Sequence, residues 1–328
     1  MPAPKIPALS DIRRAADRLR GFAVETPLLE SAALNEKFGG RILFKPEVLQ
    51  RTGSFKFRGA YNKISSLSED ERARGVVAFS SGNHAQGVAL SAAMFGIPAV
   101  IIMPADAPAI KIGNVRDYGA EVILYDRVTG EREALVKPYV ERGMILVPPF
   151  DDFEIVAGQG TVGLELVAQA QALGVALDAV AVPCGGGGLT GGIAVAVKAL
   201  SPATDVWAVE PEQFDDTSRS LAAGRRLRNA PGGVSICDAI QSPEPGELTF
   251  EINRKALSGV VVVPDAMTAA AMRDAAIHLK LVVEPGGAVA LAALSSGQIE
   301  LAGRTVAVVL SGGNVDLANF ARIVGRAG

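Results

Sequence analysis

Short apolar runs alternate with stretches of helical periodicity along this chain. VVAF (76–79) passes through a polar turn into a helix predicted from about Asn83 to Phe95, and PAVIIM (98–103) precedes another near Ala107 to Tyr118. EVILY (121–125) is followed by a helical stretch over 131–141 and then by MILV (144–147). A second series begins with a helix from Thr161 to Leu173, stopped by Gly174. AVAV (179–182), a helix over 189–200, VWAV (206–209), VVVV (260–263), helices near 267–279 and 287–294, and VAVVL (306–310) complete it. Continuous apolar runs separated by helices predict parallel strands with helices on their faces, an α/β fold. A helix near Ser10–Leu19 opens the chain; 215–245 lacks periodicity, with SRSLAAGRRLR (218–228) as its helix candidate.

Composition narrows the class. At 328 residues the chain has the size of about two domains. A 49% hydrophobic and 20% charged composition excludes whole-chain disorder. The net charge of −3 supplies no field that would collect nucleic acid or an anionic membrane. No targeting core or long apolar span is visible, and Cys184 and Cys237 form neither a metal spacing nor a secretory pattern, so a cytoplasmic location is expected.

The chemistry gathers at the turns. CGGGGLTGG (184–192) follows a strand and opens a helix. Gly185, Gly186, Gly187 and Gly188 remove every side chain that would keep an oxyanion from backbone N–H groups at a helix start. Close helix packing would also favour such a run. SSGNHAQG (80–87) has the same placement, and Ser80, Ser81, Asn83 and His84 could hold a small carboxylate, although a plain N-cap explains the serines. Lys56 stands between Phe55 and Phe57 after a Gly-Ser turn, where desolvation would make its amine an imine-forming nucleophile; a surface lysine is the alternative. Ser311 follows a strand directly, at the edge where α/β sheets bind ligands. Together these are the contacts required by pyridoxal phosphate and an amino acid.

KPEVLQRTGSFKFRGAYNKI, SSGNHAQG, AGQGT, PCGGGGLTGG, VEPEQFDD, EPGG and LSGGNVD, in that order, resemble the fold-type II pyridoxal-phosphate enzymes of the threonine/serine dehydratase and serine racemase family. The resemblance implies two open α/β domains with the cofactor in the cleft between them. Residues 1–70 and 151–328 would form the larger cofactor domain, and 71–150 the smaller substrate domain. Lys56 would form the imine, Gly185–Gly188 would hold the phosphate, Asn83 would face the ring hydroxyl, and Ser311 would contact the ring nitrogen. Ser81 would be an acid/base on the face opposite Lys56 and, with Ser80, Asn83 and His84, would bind the substrate carboxylate. A homodimer is also implied.

The resemblance further implies elimination of the β-hydroxyl of L-threonine or L-serine to give a 2-oxo acid and ammonia. A neutral serine at the ring nitrogen favours prompt elimination over full electron withdrawal into the ring. The alternatives are a 3-hydroxyaspartate ammonia-lyase, a serine racemase, and a non-catalytic protein that binds the cofactor or an amino acid. A second substrate carboxylate requires a cation, for which Arg132 is the candidate; a helix-surface arginine is the other reading. In metal-responsive relatives the VEPEQFDD pattern binds Mg²⁺ or another divalent ion, here through Glu210, the carbonyl of Phe214 and Asp216; solvated surface acids are the alternative.

Overall fold

The computed structural model describes residues 4–80, 82–107, 109–126 and 132–326, except the side chains of Ile110, Arg132, Glu133 and Arg326. Among these residues ten strands occur in chain order: β1 (Leu29–Glu30), β2 (Arg41–Pro46), β3 (Val76–Phe79), β4 (Ala99–Pro104), β5 (Glu121–Tyr125), β6 (Ile145–Leu146), β7 (Ala179–Pro183), β8 (Asp205–Pro211), β9 (Gly259–Val263) and β10 (Thr305–Leu310). They build two α/β domains. The larger sheet has the order β1-β2-β10-β7-β8-β9, and the smaller β5-β4-β3-β6. Only β1 and β2 pair antiparallel.

Strand periodicity accounts for the double burial of the larger sheet. Ile42, Phe44, Ala179, Ala181, Val306 and Val308 enter one apolar cluster, while their neighbours Leu43, Val180, Val182, Ala307 and Val309 enter another. Successive side chains point to opposite faces, so a strand covered on both must be apolar throughout. The smaller sheet has its own core, in which Val76, Ala78, Ile101 and Met103 pack against Ala85 and Ala89 of the helix Asn83–Phe95. Ala60 and Ile64, from the helix Lys56–Ser65, join that core.

β2 escapes the periodicity because it contains a lysine. Lys45 is fully buried, yet its Nζ donates to Glu165 Oε2 at 2.7 Å, Thr26 O at 2.6 Å and Gln169 Oε1 at 3.0 Å. The helix expected at 161–173 runs Phe153–Ala172, capped by Asp152, whose Oδ1 accepts from Glu154 N and Ile155 N. AGQGT therefore lies inside a helix. Its Gly158 faces the Gly59 backbone so closely that a Cβ would sit 2.7 Å from Gly59 Cα, which brings this helix against the one bearing Lys56. The helix expected over 218–228 runs Asp216–Ala223, ended by Gly224 in the left-handed conformation (φ 68°). Among the described residues no helix is long and apolar enough to cross a membrane.

Candidate active site

The C-terminal ends of β3, β7 and β10 converge on a cavity of about 410 Å³. Strand ends at the edge of an open parallel sheet leave turn backbone and helix N-termini facing a common crevice. Lys56, Ser80, Asn83, His84, Ser311 and Gly185–Gly188 all line it. Ser81 lies outside the described residues, as does the side chain of Arg132, whose backbone opens the helix Arg132–Glu141.

Lys56 is the first residue of its helix, and the turn before it is tied to the end of β10. Phe55 N donates to Ser311 O at 3.1 Å, Gly313 N donates to Gly53 O at 2.9 Å, and Ser54 bridges Gly312. This lattice fixes the lysine relative to Ser311 although 255 residues separate them, counting from 56 to 311. Lys56 Nζ donates to Pro149 O at 2.6 Å and lies 5.2 Å from the Phe55 ring. Burial lowers its amine to about 8, as a nucleophilic lysine requires. Phe57 does not flank the amine as expected; it packs with Leu19 and Tyr61.

The glycine run forms a cradle. A Cβ on Gly186 or Gly188 would run into Phe150, and one on Gly187, whose φ is +89°, would lie 2.7 Å from Asn253 Nδ2. The helix Gly188–Leu200 starts here and leaves its first N–H groups without intrahelical acceptors. The run carries no side chain of its own to keep a phosphate from these N–H groups.

Asn83 sits at the start of its helix, with Oδ1 accepting from Asn314 Nδ2 at 2.8 Å. His84 is buried and paired with Val147 O through Nε2 at 2.8 Å. A carbonyl only accepts, so Nε2 carries the proton. Burial holds the ring pKa down to about 3. His84 thus offers a carboxylate an unprotonated Nδ1, not the donor expected. Ser80 is half-buried, and its Oγ accepts from Gly82 N at 3.2 Å.

Sequence reasoning gave no role to two other cavity residues, Glu284 and Lys111. Glu284, in the quoted EPGG, is 1% exposed. Lys111, from the helix Ala109–Asp117, donates to Asp238 Oδ2 at 3.1 Å, joining the two domains beside the cavity. Its only sequence signal was a charge on an otherwise featureless helix. Lys111 Nζ lies 3.3 Å from where a Cβ on Gly82 would stand, so it borders the serine turn. Arg226 also lines the cavity but is held by Pro245 O, Glu244 and Glu247.

Glu210 and Asp216 lie apart from the cavity. Glu210 is buried near the end of β8, where its oxygens accept from Thr217 N and Ser218 N at 2.9 Å. Burial, and then the Asp216 charge, push it up to about 8. Asp216 is buried too, and burial raises it to about 7. Among the described residues no group of three or more His, Cys, Asp and Glu is placed to hold a metal ion.

Comparison with known proteins gives this cavity its cofactor. The pyridoxal-phosphate dependent enzyme family matches residues 19–312. The chain belongs to that family. It is a fold-type II pyridoxal-phosphate enzyme, related to threonine/serine dehydratases, serine racemases and hydroxyaspartate lyases. It is 41% identical over 321 residues to the L-threo-3-hydroxyaspartate ammonia-lyase of Saccharomyces cerevisiae, covering 97% of both chains. It is 43% identical over 315 residues to the L-threo-3-hydroxyaspartate ammonia-lyase of Pseudomonas sp., covering 96% of this chain and 97% of that one. Among solved structures, the threonine deaminase of T.th. superposes with a TM-score of 0.89 at 45% identity, over 95% of this chain and 99% of that one. The pyridoxal-phosphate enzyme described here performs β-elimination or racemisation on a small hydroxy or amino acid. Its cavity fits the cofactor on structural grounds: a lysine amine whose pKa is lowered by burial and a glycine backbone at a helix start face one space.

Proposed function

We propose that this enzyme removes the β-hydroxyl of L-threo-3-hydroxyaspartate, releasing ammonia and leaving a 2-oxo dicarboxylic acid. The observation that carries this reading is the end-to-end similarity to two proteins named for that activity. Lys111 beside the serine turn supports it, since a second carboxylate entering a buried site needs a cation nearby. Bound pyridoxal phosphate would supply the conjugated system that accepts the electron pair released at Cα. Lys56 would hold the cofactor and take the Cα proton, Gly185–Gly188 would bind its phosphate, and Asn83 and Ser311 would hold its ring. Ser80 and Ser81 would hold the substrate carboxylate, with Ser81 as the proton carrier on the opposite face.

A substrate panel tests the choice. kcat/KM for L-threo-3-hydroxyaspartate should exceed that for L-threonine and L-serine by at least about tenfold, a difference near 1.4 kcal/mol at the transition state. Arg132→Ala should lower the hydroxyaspartate value selectively, on the order of 10²-fold, as expected when one partner of a buried charge pair is lost. The reverse order of substrates would overturn the proposal. It would favour dehydration of threonine or serine, the reading supported by the similarity to threonine deaminase.

A divalent cation at Glu210 and Asp216 belongs to the same proposal. Two carboxylates buried side by side repel, and Asp216 Oδ2 is buried with no hydrogen-bond partner among the described residues. Mg²⁺, with the Phe214 carbonyl and water completing its shell, would satisfy both. Chelation should lower Tm and added Mg²⁺ or Mn²⁺ should restore it, by about 2.7 kcal/mol at a hundredfold excess over Kd. Identical melting curves with and without chelator would show that Glu210 only caps the helix Asp216–Ala223.

The division at 70/71 and 150/151 and a homodimer complete the reading. The exposed apolar Phe22, Val24 and Leu49 support the dimer; Val24 N bonds to Gln50 Oε1 and Phe22 O to Arg51 Nε, which gathers the three on one face.

A further inference from the structure

Glu284 has no task in the chemistry above, yet its surroundings are specific. It precedes the helix Pro285–Ala292, and its backbone N donates to Gly312 O at 3.0 Å, beside Ser311. The orientation of its carboxyl follows from a chain of amides. Asn314 Nδ2 lies 2.6 Å from Thr52 O, and a carbonyl accepts only, so that amide atom is the nitrogen. The same nitrogen donates to Asn83 at 2.8 Å, so Asn83 presents its oxygen there and its nitrogen to Glu284 Oε1. Oε1 is therefore an acceptor, and a proton held by this carboxyl sits on Oε2. Oε2 is buried, with no hydrogen-bond partner among the described residues, in a side chain that lines the cavity.

Elimination of a β-hydroxyl needs a proton donor, because hydroxide leaves poorly unless it departs as water. The neighbouring described groups are committed elsewhere. Lys56 takes the Cα proton, the Nε2 proton of His84 is bound to Val147 O, and Lys111 is bound to Asp238. We propose that Glu284 is the general acid of the elimination, donating the proton on Oε2 to the departing β-hydroxyl. The Cα–H electron pair forms the new Cα–Cβ double bond while the Cβ–O pair leaves with oxygen, which takes the Glu284 proton to become water. The carboxylate regains a proton from solvent before the next turnover. Lys56, Lys111, Asp238 and Asn83 face Glu284. Burial raises the acid to about 7, which leaves a large protonated fraction near neutrality. The inference rests on the β-hydroxyl elimination proposed above and not on which hydroxy amino acid is used.

A leaving group that needs no proton isolates the role. Glu284→Gln should lower kcat/KM for the preferred hydroxy amino acid by at least about 10²-fold, within the usual range for an acid catalyst, while β-chloroalanine, which expels chloride, changes less than about threefold. Retained chloroalanine turnover also shows that the variant folds and binds cofactor. In the wild type, the rate with the hydroxy substrate should fall as pH rises through about 7, because the protonated acid is consumed, and the chloroalanine profile should lack that limb. Parallel losses on both substrates would make Glu284 a positioning residue for Asn83 and overturn the proposal. So would undiminished hydroxy-substrate turnover, or superimposable wild-type pH profiles, and the profiles decide the matter even if the variant does not fold. A wild type that eliminates from no hydroxy amino acid overturns the functional reading itself, and that is seen before any variant is made.

Discussion

Lys56→Ala is expected to reduce elimination by at least about 10²-fold, even with cofactor retained in the cavity. Two functions disappear together: the covalent anchor and the base for the Cα proton, and each is a group placed within reach of the reacting atoms. The fold should survive. Lys56 is the first residue of its helix, and its ammonium makes one described hydrogen bond, to Pro149 O, so its loss removes little packing. The check is single-turnover release of 2-oxo acid, with borohydride reduction and peptide mapping of the wild type to label Lys56. Near-normal turnover in the variant, with wild-type contamination excluded, would remove Lys56 from the chemistry.

The largest loss of stability is expected two residues later. Arg58 is 1% exposed, and its guanidinium binds Glu47 through Nε and Nη2 at 2.8 Å each and Glu165 through Nη1 and Nη2. Glu47 is itself fully buried and accepts from Thr26 Oγ1 at 2.7 Å. Arg58→Ala strands that carboxylate away from water and should cost about 3–5 kcal/mol, the usual penalty for breaking a buried pair from one side. Arg58→Lys should recover only part of this, because an ammonium cannot bridge two carboxylates with a planar fork of donors. Urea unfolding measures both. A loss below about 1 kcal/mol for the alanine variant would mean that Lys45, already bound to Glu165, takes over as the counter-ion. Because Arg58 ties the helix of Lys56 to the turn Glu47–Leu49 that follows β2 and to the helix Phe153–Ala172, cofactor affinity should weaken along with stability.

Much of this was legible in the chain order of residues. Continuous apolar runs such as VVAF and VAVVL became β3 and β10 within a residue or two, since a strand buried on both faces leaves no polar position to disguise it. The glycine run, Lys56, Asn83 and Ser311 could be picked out as candidates because each is a residue type with specific chemistry at a turn or helix start, and all line one cavity. β2 was not legible: Lys45 breaks its apolar run, and it takes Glu165, 120 residues away, together with Thr26 O and Gln169 to explain why a lysine can be buried there. The long helix around AGQGT was hidden because glycine opposes helix locally. Close approach to Gly59 offsets that cost, and the contact does not exist until the chain is folded.

The sequence by itself determined the fold class and the cofactor, since these follow from local periodicity and from residue types with specific chemistry. Tertiary structure alone decided the protonation and placement of the site. It lowered the Lys56 amine by burial, left His84 neutral, brought Lys111 to Asp238 across two domains, and turned Glu284 Oε2 into a space without another partner among the described residues. Burial and the distance between charges set these properties, and both depend on groups far apart in the chain that only packing brings together.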